Sequence, residues 1–428
     1  MRVVHRPELD GLRRSVRGKR NSNPIILGQA ASFLGDYVAY ITLPLFVLSL
    51  TDRVTDLGKV AALETLPLVL FGLVAGAILD RYRIRPILIG ADLVRAGIFG
   101  WLAFGASSGT IGLSAVFAAA FAVGTMSVFF DSGLQTLLPT VIPARHLAVI
   151  NSHLALARTF AFAIGPALGG ALIATSGGFP LAFGIQGATF VVSALSLLFV
   201  RPTHRIEKTA TERLAKSVIS GVRELIKLRP LVVATLAASF VNFVFAPLEA
   251  LLVVYVRDNA APEFTVSGLL SPLFSDLGAV GMFISAQALV GTVLLLGASR
   301  AVKKLPLGTF FIAGMILMGS GFTIMLLMDS FFGFIPAGFS LAGVGMVNIA
   351  FVTSRQRLSP PAYLGRITAA SRTVAYASLP LGTMIGTTFA DRIGVTTVYA
   401  VGAVSVVVAG LLLLPTRLGR MSFDKGGA

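Results

Sequence analysis

Hydrophobic positions in this chain come in long, nearly unbroken runs, without the alternation of half-buried strands or the single stripe of a soluble helix. Most runs are about 20 residues or longer, which suits helices crossing roughly 30 Å of hydrocarbon and is too long for barrel strands of about 10. Twelve spans are predicted, at 24–50, 57–79, 86–106, 111–137, 147–175, 179–200, 231–256, 278–299, 307–328, 331–354, 364–389 and 394–415. Most connections are short. One polar, basic segment, 201–230, is predicted to hold an amphipathic helix near 211–228, and a second longer connection, 258–277, carries Asp258, Glu263 and Asp276.

The 201–230 segment separates six spans from six. An even count keeps the two halves in the same orientation, as parallel repeats about an axis along the membrane normal. A repeated sequence supports duplication: RTFAFAIGP at Arg158 to Pro166 returns as RTVAYASLP at Arg372 to Pro380, shifted by 214 of 428 residues, in the fifth and eleventh spans. Gln135 to Pro139 and Gln356 to Pro360 end the fourth and tenth spans in the same way. The predicted fold class is therefore an all-α integral membrane protein with twelve transmembrane helices in two parallel six-helix repeats. Its parts are a basic N-terminus (1–23), an N-terminal bundle (24–200), a linker (201–230), a C-terminal bundle (231–415) and a tail (416–428).

Composition agrees: 55% hydrophobic residues, 13% charged residues and a mean hydropathy of +0.85 leave too little polar surface for a soluble globule. The net charge of +16 raises nucleic acid as a partner. Its distribution answers otherwise, since 28 of the 35 lysines and arginines fall on one side of the predicted spans and four on the other. That bias predicts a cytoplasmic-membrane protein with both termini in the cytoplasm, surrounded by lipid, with no nucleic-acid partner. The first apolar run is longer than a signal-peptide core and is interrupted by Asp36, so it reads as a retained helix. There is no cysteine, hence no disulfide, thiolate metal site or thiol nucleophile. The phosphate-cradling Gly-x-x-x-x-Gly-Lys loop is missing and the four histidines are scattered, so neither an enzyme, a cofactor nor a metal site is expected.

Candidate chemistry lies with polar groups inside the spans, where an ionised side chain costs about 2.5–3.5 kcal/mol and usually faces a partner or a wet cavity. Gln29, Ser32, Asp36 and Tyr40 recur at helical spacing on the first span, and Ser239, Asn242 and Glu249 share a face of the equivalent seventh. Asp36 and Glu249 are the leading candidates for proton exchange from a central cavity, with Glu64, Asn242, Gln29 and Tyr40 beside them. The bland alternative is that each merely satisfies a neighbouring helix. Asp131 follows Ser127 by four residues on the fourth span, while Asp92 and Arg95, one turn apart, read as a local ion pair. Arg158 and Arg372 are expected in the cytoplasmic halves of their spans as a symmetric network, with Asp131 or Asp80 as partners. The phenylalanines, Phe162 and Phe245 among them, read first as packing or lipid-facing, with an apolar binding surface as the alternative.

The loop after the second span reads Gly76-Ala-Ile-Leu-Asp80-Arg81-Tyr-Arg83-Ile-Arg85. It resembles the G-x-x-x-D-R-x-G-R-R signature of the major facilitator superfamily, with Arg83 in place of the second glycine. LGDYVAYITLPL in the first span, FDSGLQTLLP in the fourth and GRITAASRTVAYASLPLG in the eleventh resemble its branch of macrolide-efflux and enterobactin-exporter proteins. The resemblance implies export driven by a proton gradient through alternating access, with the first, fourth, seventh and tenth helices lining the cavity. It also implies that Asp80, flanked by Arg81 and Arg85, gates the cytoplasmic side by capping the eleventh helix near Gly365 in the outward-open state. The expected function is proton-coupled export of hydrophobic or amphipathic drugs or natural products by a monomer. A dedicated siderophore, peptide or lipid exporter is the alternative, and a non-transporting membrane scaffold or sensor stands behind it.

Overall fold

The computed structural model describes residues 7–200, 214–259, 275–301, 305–328, 330–360 and 363–416, without the side chains of residues 7–20 and of a few other positions, Asp80 among them. Most of the 258–277 connection, the first part of the linker and the C-terminal tail lie outside the described residues. Thirteen α-helices are described: α1 (Pro7–Thr51), α2 (Val54–Arg81), α3 (Ile84–Ser108), α4 (Leu113–Val141), α5 (Ala144–Ile173), α6 (Gly178–Leu198), α7 (Leu214–Lys227), α8 (Arg229–Asn259), α9 (Asp276–Ala301), α10 (Leu307–Met328), α11 (Phe334–Leu358), α12 (Leu364–Ile393) and α13 (Val395–Leu413). Twelve correspond to the predicted spans, and α7 is the amphipathic helix of the linker. The predicted ends hold to within several residues with one exception. The basic segment before residue 24 continues α1, and Pro24 stands inside that helix without ending it. Hydropathy marks where an apolar run begins, not where a helix does.

Local chemistry accounts for the helix ends. Gly109 closes α3 in the left-handed conformation (φ 65°), which only a residue without Cβ adopts without strain, and its N–H bonds back to the Gly105 carbonyl. Gly394, at φ 87°, similarly breaks the chain between α12 and α13. The first six long helices pack as one half, with α1 against α5 and α6, α2 against α4, and α3 against α6. The last six form the other, with α8 against α12, α9 and α10 against α11, and α10 against α13.

Two helix pairs, α5 with α9 and α2 with α12, make the main packing between the halves. Small residues permit the first. A Cβ on Gly281 of α9 would lie 2.1 Å from the Pro166 carbonyl oxygen of α5, so the backbones meet directly there. The second pair is charged. Ten helices of the described residues are long and apolar enough to cross a membrane, and α2 and α12 are not among them. Their charges include Asp56, Lys59, Glu64, Arg366, Arg372 and Asp391.

The helix α7 defines one end of the bundle, the linker face, where Leu225 packs with Leu231, Ile367 and Ala370 against the start of α12. The halves meet toward the opposite, far face, where Gly58 of α2 abuts Thr387 of α12 and the Ala167 amide donates to Ser285 Oγ at 2.9 Å. On the linker face, Gly76 of α2 and Gly365 of α12 each look into open space.

Candidate functional site

Asp36 lies midway along the apolar part of α1. Its carboxylate stands 3.6 Å from Arg95 Nη1 of α3 and keeps 40% of its side-chain surface open, whereas Arg95 is only 2% exposed. Arg95 is held from every side. Its Nη2 bonds the buried Asp92 carboxylate, Nη1 reaches Ser127 Oγ of α4 at 3.4 Å, and the rings of Phe130 and Phe190 lie 4.6 and 4.2 Å from the guanidinium carbon. The local Asp92–Arg95 pair read from their spacing is present. Spacing did not reveal that the same guanidinium reaches across to Asp36, since that contact depends on how α1 and α3 pack.

Glu249 of α8 accepts a hydrogen bond from Tyr40 of α1 at 2.6 Å and another from Gln287 Nε2 of α9 at 3.2 Å. Tyr40 and Glu249 thus join the two halves, in the part of the molecule nearer the far face. The far face itself is closed by Asp391, near the end of α12. Its carboxylate accepts from the Val54 and Thr55 amides at 3.2 and 2.9 Å and from the Thr55 hydroxyl, capping the first turn of α2. Neither Asp391 nor Gln287 stood out in the sequence, because an acid at a span end reads as an ordinary solvated charge.

Between these layers and the linker face, a cavity of about 390 Å³ opens within the second half, of the size small-molecule sites occupy. Asn242 and Phe245 of α8, Asn348 and Phe351 of α11 and Tyr376 of α12 line it, and Phe162 of α5 reaches over from the first half. Phe162 also meets Tyr37 of α1, ring to ring at 4.9 Å. Both Phe162 and Phe245, read first from sequence as packing or lipid-facing, therefore line the cavity. An apolar side chain is compatible with lipid, core or cavity, and only packing separates them. Asn242 donates from Nδ2 to the Ala375 carbonyl at 2.8 Å, which leaves its carbonyl oxygen as the acceptor.

The remaining predicted residues are dispersed. Gln29 is fully buried and donates to Ser193 of α6 at 3.4 Å, apart from the partly open Asp36, and neither residue is among those lining the cavity. The two share a helical stripe, but crossing helices bring different neighbours to that stripe at different heights. Glu64 of α2 is partly buried and its carboxylate has no hydrogen-bonding partner among the described residues. Arg158 Nη2 lies 3.8 Å from Asp131 and its guanidinium lies over Phe33. Arg158 sits at the middle of α5, deeper than expected, while Arg372 lies near the start of α12. Arg85 donates to the Leu197 and Leu198 carbonyls at 2.7 and 2.5 Å, capping α6 within its own half. Arg81 is exposed, and the Asp80 side chain lies outside the described residues.

With this geometry established, similarity to known proteins becomes informative. The sequence profile described as the Major Facilitator Superfamily matches residues 25–284. The chain is 22% identical to macrolide efflux protein A of Streptococcus pyogenes over 379 residues, covering 86% of this chain and 89% of that protein. It is 24% identical to the multidrug efflux pump Tap of Mycolicibacterium fortuitum over 406 residues, covering 91% and 93%. A crystal structure of the nucleoside transporter NupG superposes with a TM-score of 0.71 at 12% identity, covering 93% of this chain and 100% of that one, which reflects a shared fold.

Proposed function

Because the chain belongs to the major facilitator superfamily, we propose that this multi-pass membrane transporter exports hydrophobic or amphipathic small molecules in exchange for protons, by alternating access. The observation that carries the reading is the asymmetry of closure. The far face is latched by Tyr40–Glu249 and by Asp391 on α2, while a small-molecule cavity lies on the linker side of that latch and Asp36, outside the cavity lining, keeps a partly open carboxylate. The basic linker places the linker face in the cytoplasm on the positive-inside rule, so the closed far face is the outer one and the state is inward-facing. The similarity to proteins named for macrolide and multidrug efflux supports the outward direction. Asp36 and Glu249 are the proposed proton sites.

Flux in proteoliposomes tests this directly. A proton gradient with the vesicle interior acidic is expected to drive uptake of at least one amphipathic compound from a broad panel. Equal flux with and without the gradient would remove proton antiport.

The two gates make a further prediction. α2 and α12 run antiparallel, so each ends near the other's start. Asp391 caps α2 on the far face, and Asp80, in the proposed reading, caps α12 on the linker face in the opposite state. A capping carboxylate contributes about 1 kcal/mol, worth roughly fivefold in a population ratio. Asp391→Asn is expected to shift spin-label distances toward the outward-open state and Asp80→Asn toward the inward-open one. Shifts of the same sign would refute reciprocal capping.

A further inference from the structure

The two halves treat their equivalent arginines differently. In the first, Arg158 has Asp131 at 3.8 Å. Its counterpart Arg372 has no acidic partner among the described residues; its guanidinium lies over the Tyr376 ring, and a second cation stands near it. Arg355 of α11 lies against Ser371, the residue beside Arg372, with Nη1 3.5 Å from the hydroxyl.

Arg355 is 5% exposed, its Nε has no hydrogen-bond partner, and no carboxylate of the described residues pairs with it. Burying the Arg355 guanidinium without an anion is unfavourable, and a second, exposed guanidinium close by adds repulsion. The acids described inside the helices offer no relief. Asp92 and Asp36 share Arg95, Glu249 is taken by Tyr40 and Gln287, Asp131 faces Arg158, and Glu64 of α2, though unpaired, makes no ion pair with either arginine.

Neither arginine lines the cavity, but each lies over a ring that does, by the same construction. Arg355 follows the lining residue Phe351 by one turn, with its guanidinium carbon 4.5 Å from that ring, and Arg372 precedes Tyr376 by one turn, 5.4 Å from its ring. Because α11 and α12 are antiparallel, both charges stand on the linker side of their rings. The lining itself carries apolar surface, the Asn242 and Asn348 amides, the Thr292 hydroxyl and no acid or base apart from the Tyr376 phenol.

We propose that this cavity takes the apolar body of an amphipathic anion, a carboxylate, sulfonate or phosphate ester, whose charge is held by Arg355 and Arg372. The proposal rests on the transport reading and narrows its substrate class to anions. A lipophilic cation would meet two like charges on entering and no acid inside.

The absence of cysteine gives a clean test. Asn348→Cys places one thiol on the cavity wall, and its maleimide labelling is followed in the full-length purified protein. Tetraphenylborate and tetraphenylphosphonium, matched in size and opposite in charge, serve as probes. Tetraphenylborate is expected to protect the thiol at a concentration at least about tenfold lower than tetraphenylphosphonium. Adding Arg372→Gln should shrink that difference. This side chain is exposed, so folding is not at risk, and Arg355→Gln gives the same readout where it folds. Equal protection by the two ions, stronger protection by the cation, protection by neither, or a preference unchanged by Arg372→Gln would each overturn the proposal. Any of these with proton-driven efflux intact leaves the transport reading standing. Anion protection without gradient-driven flux supports the site and refutes proton antiport instead.

Discussion

Replacing Asp36 with Asn is expected to abolish gradient-driven efflux while leaving the protein folded and inserted. Two features of its surroundings separate function from stability. The side chain is 40% open, so its loss leaves no cavity in packed structure, and Arg95 retains the buried Asp92 carboxylate as counter-ion. An amide at this position offers a similar shape and no titratable proton. If Asp36 exchanges the coupling proton, antiport should fall to the uncoupled background, a loss of more than about tenfold, whereas exchange of substrate between vesicle compartments should persist. Proton-driven efflux from everted vesicles at the unsubstituted rate would remove Asp36 from the mechanism.

Arg95→Met should act in the opposite way, on stability before transport. Its removal would strand the fully buried Asp92 and deprive Asp36 and Ser127 of a partner. Truncating one member of a buried pair costs about 3–5 kcal/mol, because the remaining charge is left uncompensated. A large drop in melting temperature, or failure to accumulate in the membrane, is the expected result. The double variant Arg95→Met/Asp92→Asn removes both charges and should recover part of that loss. A single variant as thermostable as the parent protein would mean that Asp92 does not depend on Arg95. The contrast between the two substitutions is itself diagnostic: the open carboxylate beside the guanidinium is dispensable for folding, and the buried guanidinium is not.

Duplicated architecture was legible without knowing where any site lies. The Arg158 and Arg372 repeats, the basic 201–230 segment and the lengths of the apolar runs predict twelve long helices in two halves, and the fold has them. Site residues were legible only as types. Intramembrane acids stand out because they are costly in hydrocarbon, so Asp36, Glu249 and Asp131 could be singled out without knowing what they face. Their partners could not. Arg95 lies 59 positions from Asp36, Tyr40 lies 209 from Glu249, and Asp391 lies 336 from Thr55. In the sequence Arg355 is one of the 28 basic residues on the positive side of the spans, and its burial without an acid depends on helix packing.

The division follows from the solvent. Bilayer hydrocarbon imposes length and apolarity on each segment separately, so the all-helical class and the number of long apolar helices are properties of the chain read one segment at a time. Which carboxylate meets which guanidinium, which phenylalanine faces a cavity and which end of the bundle is closed depend on helix crossings. Those crossings are set by small residues such as Gly281 against Pro166 and by caps such as Asp391 on α2, contacts between distant positions for which no local periodicity exists.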